Sequence, residues 1–182
     1  PKYSWDTANP GDEKRLSVSL RGMQLAKTGD RLAGPYHLFL SHFSDIDKQG
    51  HELGIDKKYN PKNTYMGAID NKTEAVKKII AELPDDTVLI ITSDHGHIMR
   101  GGHGGASSVL RDVPFIMYKK GHEWNSTVTP TTSLFPTTGD PQNLDICGTV
   151  ALLLGLPMPR QSNGFFVERA LELVPVALRN RV

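Results

Sequence analysis

The stretch from Thr87 to Gly105 combines the pattern of a core strand with a concentration of chemically active side chains. Its first part, TVLIIT (87–92), is an unbroken run of β-branched and leucine residues, which is typical of a strand buried on both faces. The second part, SDHGHIMRGGHGG (93–105), contains three histidines, one aspartate and five glycines. We therefore predict a core strand that leads directly into a functional loop.

The rest of the chain alternates between helical and strand patterns. Apolar residues at helical spacing predict three helices, at about 12–27, about 61–83 and 145–154. Asp12 is predicted to cap the first of them. Short apolar runs predict strands at 36–43 and 113–118. Polar and glycine-bearing segments predict loops at 44–54 and 119–142.

This alternation is typical of an α/β domain with a mainly parallel sheet. In such sheets, functional loops follow the carboxyl ends of the strands, and the loops at 44–54 and 93–108 both follow predicted strands. We predict a single domain over residues 1–182, with an irregular lead-in at 1–11 and a terminal helix at 167–182.

Composition excludes several classes of function. The formal net charge of +1 over 182 residues creates no field that would favour a nucleic acid polymer. No apolar run approaches the roughly 20 residues of a membrane helix, so we expect no membrane span within this chain. Cys147 is the only cysteine, which excludes an internal disulfide. Both a secretory or ER-lumenal compartment and the cytoplasm remain open.

Asp94 and His95 follow the predicted core strand directly, where a turn at Gly96 can bring both side chains to one ion. Carboxylate oxygen and imidazole nitrogen suit zinc, and also manganese or iron. His103 lies eight residues beyond His95, between two pairs of glycines. A glycine-rich loop with solvent-exposed histidines is the alternative, but three histidines after a core strand favour a metal site.

The loop at 44–54 contains Asp47 and His51 in the pattern Asp-x-x-Gly-His. With Gly50 between them, both side chains can reach one ion from a turn. The alternative is an acidic surface loop with a chance histidine. Asp45 is also a carboxylate, but its spacing from His51 differs from that of Asp47. We therefore expect Asp45 to face solvent or to contact a metal ligand without binding the metal.

The remaining polar candidates carry weaker expectations. His97 could contact a substrate or simply face water, and Arg100 could pair with an anionic oxygen. His37, His42 and His122 are expected to be structural or surface residues.

The order of these motifs resembles the alkaline phosphatase superfamily. Asp-x-x-Gly-His, Ser-Asp-His-Gly and Gly-His-Gly follow one another along the chain, and TYMGAIDNKTEAVKKII (64–80) resembles the helix between the family's two metal loops. DICGTVALLLGLPMPRQSNG (145–164) is similar to a later segment of the family. The resemblance spans roughly residues 36–166. It is closest to the type I phosphodiesterase/nucleotide pyrophosphatase branch, which includes the GPI ethanolamine phosphate transferases.

The resemblance implies an alkaline-phosphatase-like fold with two divalent ions, most readily zinc, with manganese as the alternative. Asp47, His51 and His103 would hold the first ion. Asp94 and His95 would hold the second, and because two ligands are too few for tight binding, we expect the second site to be incomplete in this chain. The implied reaction is an in-line displacement on a phosphate ester, of phosphodiester or phosphoethanolamine type.

The sequence departs from the family pattern upstream of Asp47. The family's first-strand aspartate and its Thr or Ser nucleophile have no recognisable counterpart in the preceding 46 residues. We therefore expect a sheet that is incomplete on its N-terminal side, within the C-terminal portion of a larger hydrolase or transferase domain. A catalytically inactive metal-binding fragment, a metal-free interaction module, and a sulfatase or phosphomutase relative are the alternatives.

Overall fold

The computed structural model describes residues 11–28, 37–55, 58, 60, 64–124 and 141–175. The chain divides into two compact units, Pro1–Lys120 and Gly121–Val182. The prediction of a single domain over 1–182 is not tested by this division alone and stays a prediction. Among the described helices, none combines the length and the apolar character that a membrane span requires.

The first unit contains four helices and two strands among its described residues. In chain order these are α1 (Gly11–Thr28), α2 (Asp45–Leu53), α3 (Tyr65–Glu82), β1 (Val88–Thr92), α4 (Ser108–Arg111) and β2 (Phe115–Lys119). Helices α1 and α3 and both strands lie close to their predicted positions. Residues 1–10 of the predicted lead-in lie outside the described residues, whereas Gly11 already belongs to α1.

The sheet in the described part of the chain consists of β1 and β2, which pair antiparallel with Ile90 opposite Met117. An α/β fold class is thus confirmed, but the predicted parallel sheet is not. The apolar residues of β1 are only half-buried and Thr92 is exposed, so burial on both faces is also not observed. In the described part of the chain, β1 has one neighbouring strand, so less of its surface is buried than in a strand inside a larger sheet.

Two sequence predictions between α1 and α3 are wrong. The segment predicted as a strand, 36–43, is irregular from His37 onward, and Leu38 and Leu40 are 56% and 91% exposed. The segment predicted as a loop, 44–54, instead forms α2. Asp45 and Asp47 lie in the first turn of α2, where carboxylates stabilise the positive end of the helix dipole.

The core of the first unit joins α1, α3 and the sheet. Met23, Ile79 and Leu83 are buried, and partly buried apolar side chains pack around them: Leu16, Leu20, Phe43, Leu89 and Tyr118. Burial of each large side chain contributes about 1.5–3 kcal/mol. Thr64 is the N-cap residue of α3, and its hydroxyl oxygen accepts a hydrogen bond from the Gly67 N–H at 3.1 Å. This bond stabilises the first turn of the helix.

The second unit contains α5 (Asp145–Leu153) and a 3-10 helix (Glu168–Leu173) among its described residues. Thr149 is fully buried; its hydroxyl donates to the Asp145 carbonyl at 2.7 Å and accepts from the Val167 N–H at 2.9 Å. The predicted helix at 145–154 is therefore confirmed to within one residue. The predicted terminal helix at 167–182 is a single 3-10 segment where it is described, and residues 176–182 lie outside the described part, as do 125–140 of the predicted loop.

Candidate metal centre

Helix α2 presents Asp47 and His51 on one face. Residues four apart on a helix are neighbours, and the His51 Nε2 lies 3.4 Å from the Asp47 Oδ1. Both side chains are close to half-exposed, at 44% for Asp47 and 48% for His51. The helix thus places an imidazole nitrogen and a carboxylate oxygen side by side at the surface.

The loop after β1 brings three further histidines to the same carboxylate. The Gly96 N–H donates to the Leu110 carbonyl at 2.9 Å, and the Ile98 N–H donates to the Gly102 carbonyl at 3.1 Å. These bonds fold the loop back on itself, so that the His95 and His103 rings stack with centroids 3.7 Å apart. Their Nε2 atoms lie 3.9 Å and 3.7 Å from the Asp47 Oδ1.

Glycines allow this loop to approach α2 closely. Gly101 has φ +83°, and a Cβ on it would lie 2.2 Å from the Gly50 carbonyl oxygen. Only glycine combines this backbone conformation with this contact at low cost. The Ile55 N–H adds a hydrogen bond to the Met99 carbonyl at 3.1 Å, which joins the end of α2 to the same loop.

The resulting cluster surrounds one oxygen atom with four imidazoles. We call it the Asp47 cluster and define it by Asp47, His51, His95, His97 and His103. It contains two groups whose ligand atoms all lie within 4.8 Å of one another: Asp47 with His95 and His97, and Asp47 with His51 and His103. Ligand atoms about 2.0–2.2 Å from one ion lie roughly 3–4 Å apart, and the Asp47–histidine distances of both groups, 3.0–3.9 Å, lie in that range.

His97 is buried rather than facing water, which corrects one of its two expected roles. Its side chain is 3% exposed, its Nε2 lies 3.0 Å from the Asp47 Oδ1, and its Nδ1 is buried without a hydrogen-bond partner. A neutral imidazole has one N–H and one lone pair. Donation from Nε2 to the carboxylate leaves only a lone pair unpaired, whereas the other tautomer would direct a lone pair at a carboxylate. The contact therefore favours His97 as a donor to Asp47.

Gly50 makes room for the buried imidazole. A Cβ at position 50 would lie 2.7 Å from the His97 ring, so the ring packs directly on the backbone of α2. The glycine of the Asp-x-x-Gly-His pattern therefore has a packing role that its spacing between Asp47 and His51 did not reveal.

Asp94 and Arg100 lie further from the cluster. The Asp94 side chain is 76% exposed and belongs to neither three-residue group, although its Oδ2 lies 3.6 Å from the His95 Nε2. Arg100 is exposed in the same loop. The structure thus brings together four of the five residues expected to bind metal and leaves the Asp94 carboxylate at the margin.

Tyr65 is a neighbour of the cluster that the sequence did not single out. Its ring centroid lies 5.7 Å from that of His97. Burial and the negative charge of Asp47 raise the pKa of Tyr65 above its ordinary value of 10.0, so the phenol keeps its proton at neutral pH. In sequence, Tyr65 is indistinguishable from the apolar residues that α3 buries.

The other expected positions lie apart from the cluster. His37 and His42 are exposed. In the second unit, His122 is half-buried, with its Nε2 3.6 Å from a Glu172 carboxylate oxygen. The Asp45 carboxylate contacts Lys72 at 2.9 Å, so Asp45 is neither purely in solvent nor part of the imidazole cluster.

Comparison with known proteins gives this geometry a family context. Residues 1–99 match the sequence model of the type I phosphodiesterase / nucleotide pyrophosphatase family, which covers Asp47, His51, His95 and His97. The match begins upstream of the region that carried the sequence resemblance, and it ends before His103. No solved structure matches this chain.

Several curated proteins are similar over most of this chain. The catalytic subunit of mouse GPI ethanolamine phosphate transferase 3 is 28% identical over 137 residues, which is 72% of this chain and 11% of that protein. GPI ethanolamine phosphate transferase 2 of Candida albicans is 30% identical over 146 residues, covering 78% of this chain and 16% of that protein. The Kluyveromyces lactis transferase 2 is 25% identical over 154 residues, with 79% and 19% covered. The chain thus spans between a tenth and a fifth of the length of these relatives.

Proposed function

Because this chain belongs to the type I phosphodiesterase / nucleotide pyrophosphatase family, we propose that it provides the metal-binding part of a centre for phosphate-ester transfer or hydrolysis. The observation that carries the proposal is the convergence of four imidazole nitrogens within 3.9 Å of the Asp47 Oδ1. Family membership supports phosphate-ester chemistry, and the names of the relatives favour phosphoethanolamine as the transferred group.

We assign Asp47, His51 and His103 to a first divalent ion, with zinc preferred over manganese because imidazole predominates. His95 would contribute to a second ion, with Asp94 as the carboxylate expected from sequence and Asp47 as a carboxylate that is closer in space. Divalent ions at such a centre supply charge stabilisation for the phosphoryl oxygens and the leaving group.

The protein's own side chains have distinct tasks in this proposal. His97 donates to the Asp47 Oδ1 at 3.0 Å and so holds that carboxylate in one orientation. The Tyr65 phenol is protonated at neutral pH even at its ordinary pKa of 10.0, and its raised pKa strengthens this, so it can donate a hydrogen bond but adds no second negative charge beside Asp47. Exposed Arg100 is available to pair with an anionic substrate oxygen. We further propose that the attacking Thr or Ser hydroxyl comes from sequence outside this chain.

The metal assignment is tested by titrating zinc into the purified chain and its Asp47→Ala variant. Asp47 belongs to both ligand groups, so its loss should weaken zinc binding by more than about 100-fold, beyond the effect of an outer-shell change. Asp85→Ala is the matched control, because that carboxylate is 95% exposed; its zinc affinity should equal that of the unmodified chain. Equal affinities for all three proteins would refute the metal centre.

The substrate class is tested separately with two matched small molecules. In the presence of zinc, phosphoethanolamine should bind at least about tenfold more tightly than ethanolamine sulfate, a preference of about 1.4 kcal/mol. Calorimetry measures both affinities, and ³¹P NMR provides a second measurement for phosphoethanolamine. Tighter binding of the sulfate ester would favour a sulfatase relative, and zinc binding without either ligand would favour the inactive metal-binding alternative.

A further inference from the structure

The start of α2 is capped by a carboxylate from a different helix. Asp12 of α1 accepts hydrogen bonds from the Ser44 and Asp45 N–H groups, at 3.1 Å each. N–H groups at a helix start have no acceptor within the helix itself. Ser44 occupies the N-cap position but makes no capping bond with its side chain. Its hydroxyl instead accepts from the Arg15 Nη1 at 2.8 Å.

Two cations complete the surroundings of this buried carboxylate. The Asp12 side chain is only 1% exposed, and its oxygens contact the Arg15 Nη1 at 2.9 Å and the Lys72 Nζ at 2.8 Å. The same Lys72 nitrogen reaches the Asp45 Oδ2 at 2.9 Å. Helices α1, α2 and α3 therefore meet at one charged group, which we call the Asp12 clamp: Asp12, Arg15, Ser44, Asp45 and Lys72.

Two members of the clamp, Asp12 and Lys72, have shifted pKa values. Burial raises the pKa of Asp12, but hydrogen bonds from Lys72 and from the Ser44 and Asp45 N–H groups outweigh this effect and lower it overall. For Lys72, burial lowers the pKa, and the hydrogen bonds and charges of Asp12 and Asp45 raise it overall. Both shifts favour the charged forms, so the Asp12–Lys72 ion pair is present at neutral pH.

The position of α2 decides where Asp47 and His51 lie. This helix has nine residues, and so short a helix depends on tertiary contacts for its stability and placement. Its C-terminal half rests on the loop at 95–103, and its first turn rests on the clamp. Asp47 lies only two residues beyond Asp45, so a shift of the first turn moves its carboxylate relative to His95 and His103.

We infer that Asp12, with Lys72, is a positioning residue that holds α2 so that Asp47 and His51 meet the histidines of the neighbouring loop. The inference rests on the proposed function only where metal binding is the readout. It assigns to a residue 35 positions before Asp47 a role in the geometry of the cluster.

The test uses the full chain with Asp12→Ala, Asp12→Asn and the control Ser19→Ala. Ser19 is also buried on α1 and hydrogen-bonds to the Arg15 carbonyl and the Ser41 hydroxyl, outside the start of α2. At a temperature where circular dichroism shows all variants folded, Asp12→Ala should weaken zinc binding at least about tenfold. Asp12→Asn keeps one acceptor oxygen, so its zinc affinity should lie between those of the unmodified chain and Asp12→Ala. The zinc affinity of Ser19→Ala should stay within about twofold of that of the unmodified chain.

Amide hydrogen exchange supplies a readout that is independent of metal. In Asp12→Ala, the Lys48 N–H, which bonds to the Ser44 carbonyl at 3.0 Å, should exchange faster relative to amides of α3. Lys72→Met keeps the apolar part of the side chain and removes its charge, so it should also speed exchange of the Lys48 N–H. It replaces Asp12→Ala as the test of the inference if that variant does not fold.

The two readouts separate failure of the inference from failure of the proposed function. If the unmodified chain binds no zinc, the proposed function fails, and faster exchange confined to α2 still supports the clamp. An equal rise in exchange across α1, α2 and α3 would overturn the inference. Unchanged zinc affinity in folded Asp12→Ala would overturn it as well, because Asp12 would then contribute stability alone.

Discussion

Asp12 and Asp47 are carboxylates of the same unit in opposite surroundings. Asp12 is 1% exposed and is met by two backbone N–H groups, a guanidinium and an ammonium group. Asp47 is 44% exposed and is met by four imidazole Nε2 atoms at 3.0–3.9 Å. Nitrogen atoms surround both carboxylates. Those around Asp12 belong to backbone amides and cationic side chains, whereas those around Asp47 belong to imidazole rings.

The difference separates a structural carboxylate, Asp12, from the carboxylate that we propose as a metal ligand, Asp47. The negative charge of Asp12 is balanced by permanently charged partners inside the fold, as buried charges require. Around Asp47, His97 donates its N–H, while in the proposed centre His51, His95 and His103 would each offer a ring nitrogen to a divalent ion. The open side of Asp47 also leaves access for an ion and a substrate.

The largest expected effect comes from forcing α2 away from the loop while the Asp12 clamp is left intact. Gly101→Ala combines a positive φ with a Cβ 2.2 Å from the Gly50 oxygen, so the free energy of unfolding should fall by about 3 kcal/mol. Urea denaturation measures it. Gly121→Ala is the control, because Gly121 has φ +67° but open space around its Cβ position; its loss should be only about 1–2 kcal/mol. Equal losses would show that the close approach is unimportant.

A smaller effect is expected from removing the donor to Asp47. His97→Ala should weaken zinc binding about 10- to 100-fold, the usual effect of losing an outer-shell partner. His97→Gln should restore part of the affinity, since its amide N–H can donate in place of the imidazole. Calorimetry of both variants beside His42→Ala, which changes an exposed histidine, checks the result. If His97→Gln were as weak as His97→Ala, a direct ligand role for the ring would explain the data better.

The smallest expected effect is a change of stability with pH at the Asp12 clamp. The folded-state pKa of Asp12 is lowered from 3.8, so its charged form contributes stability that is fully present above that pH. This contribution is lost as the pH falls through the lower folded-state pKa. The stability gap between the unmodified chain and Asp12→Asn should therefore narrow under acid conditions. Urea denaturation from neutral to acid pH measures the gap, and a constant gap would contradict the prediction.

The same comparison shows how far the sequence predicted the structure. The gathering of Asp47 and His51 with His95 and His103 follows from short local patterns and their order along the chain. Their role as ligands stays a prediction. Helix α2 could not be predicted, because its first turn is stabilised by Asp12, 33 residues before Asp45. The burial of His97 likewise depends on contact with Gly50 in another element.

The pairing within the sheet also could not be predicted. Apolar runs at 87–92 and 113–118 marked β1 and β2, but alternation along the chain does not determine which strands pair or in which direction. The segment at 36–43 has the composition of a strand, yet Leu40 is 91% exposed and no strand forms over its described residues, 37–43. Strand formation needs a partner, and composition does not identify one.

Asp47 belongs to both candidate ligand groups, and this shared membership has a thermodynamic consequence. Two ions bound there would draw on one carboxylate, so occupancy of one group would change the affinity of the other by the same factor in both directions. The site with His51 and His103 and the site with His95 would then fill as one linked equilibrium rather than as two independent sites. The carboxylate of α2 would set the strength of that linkage.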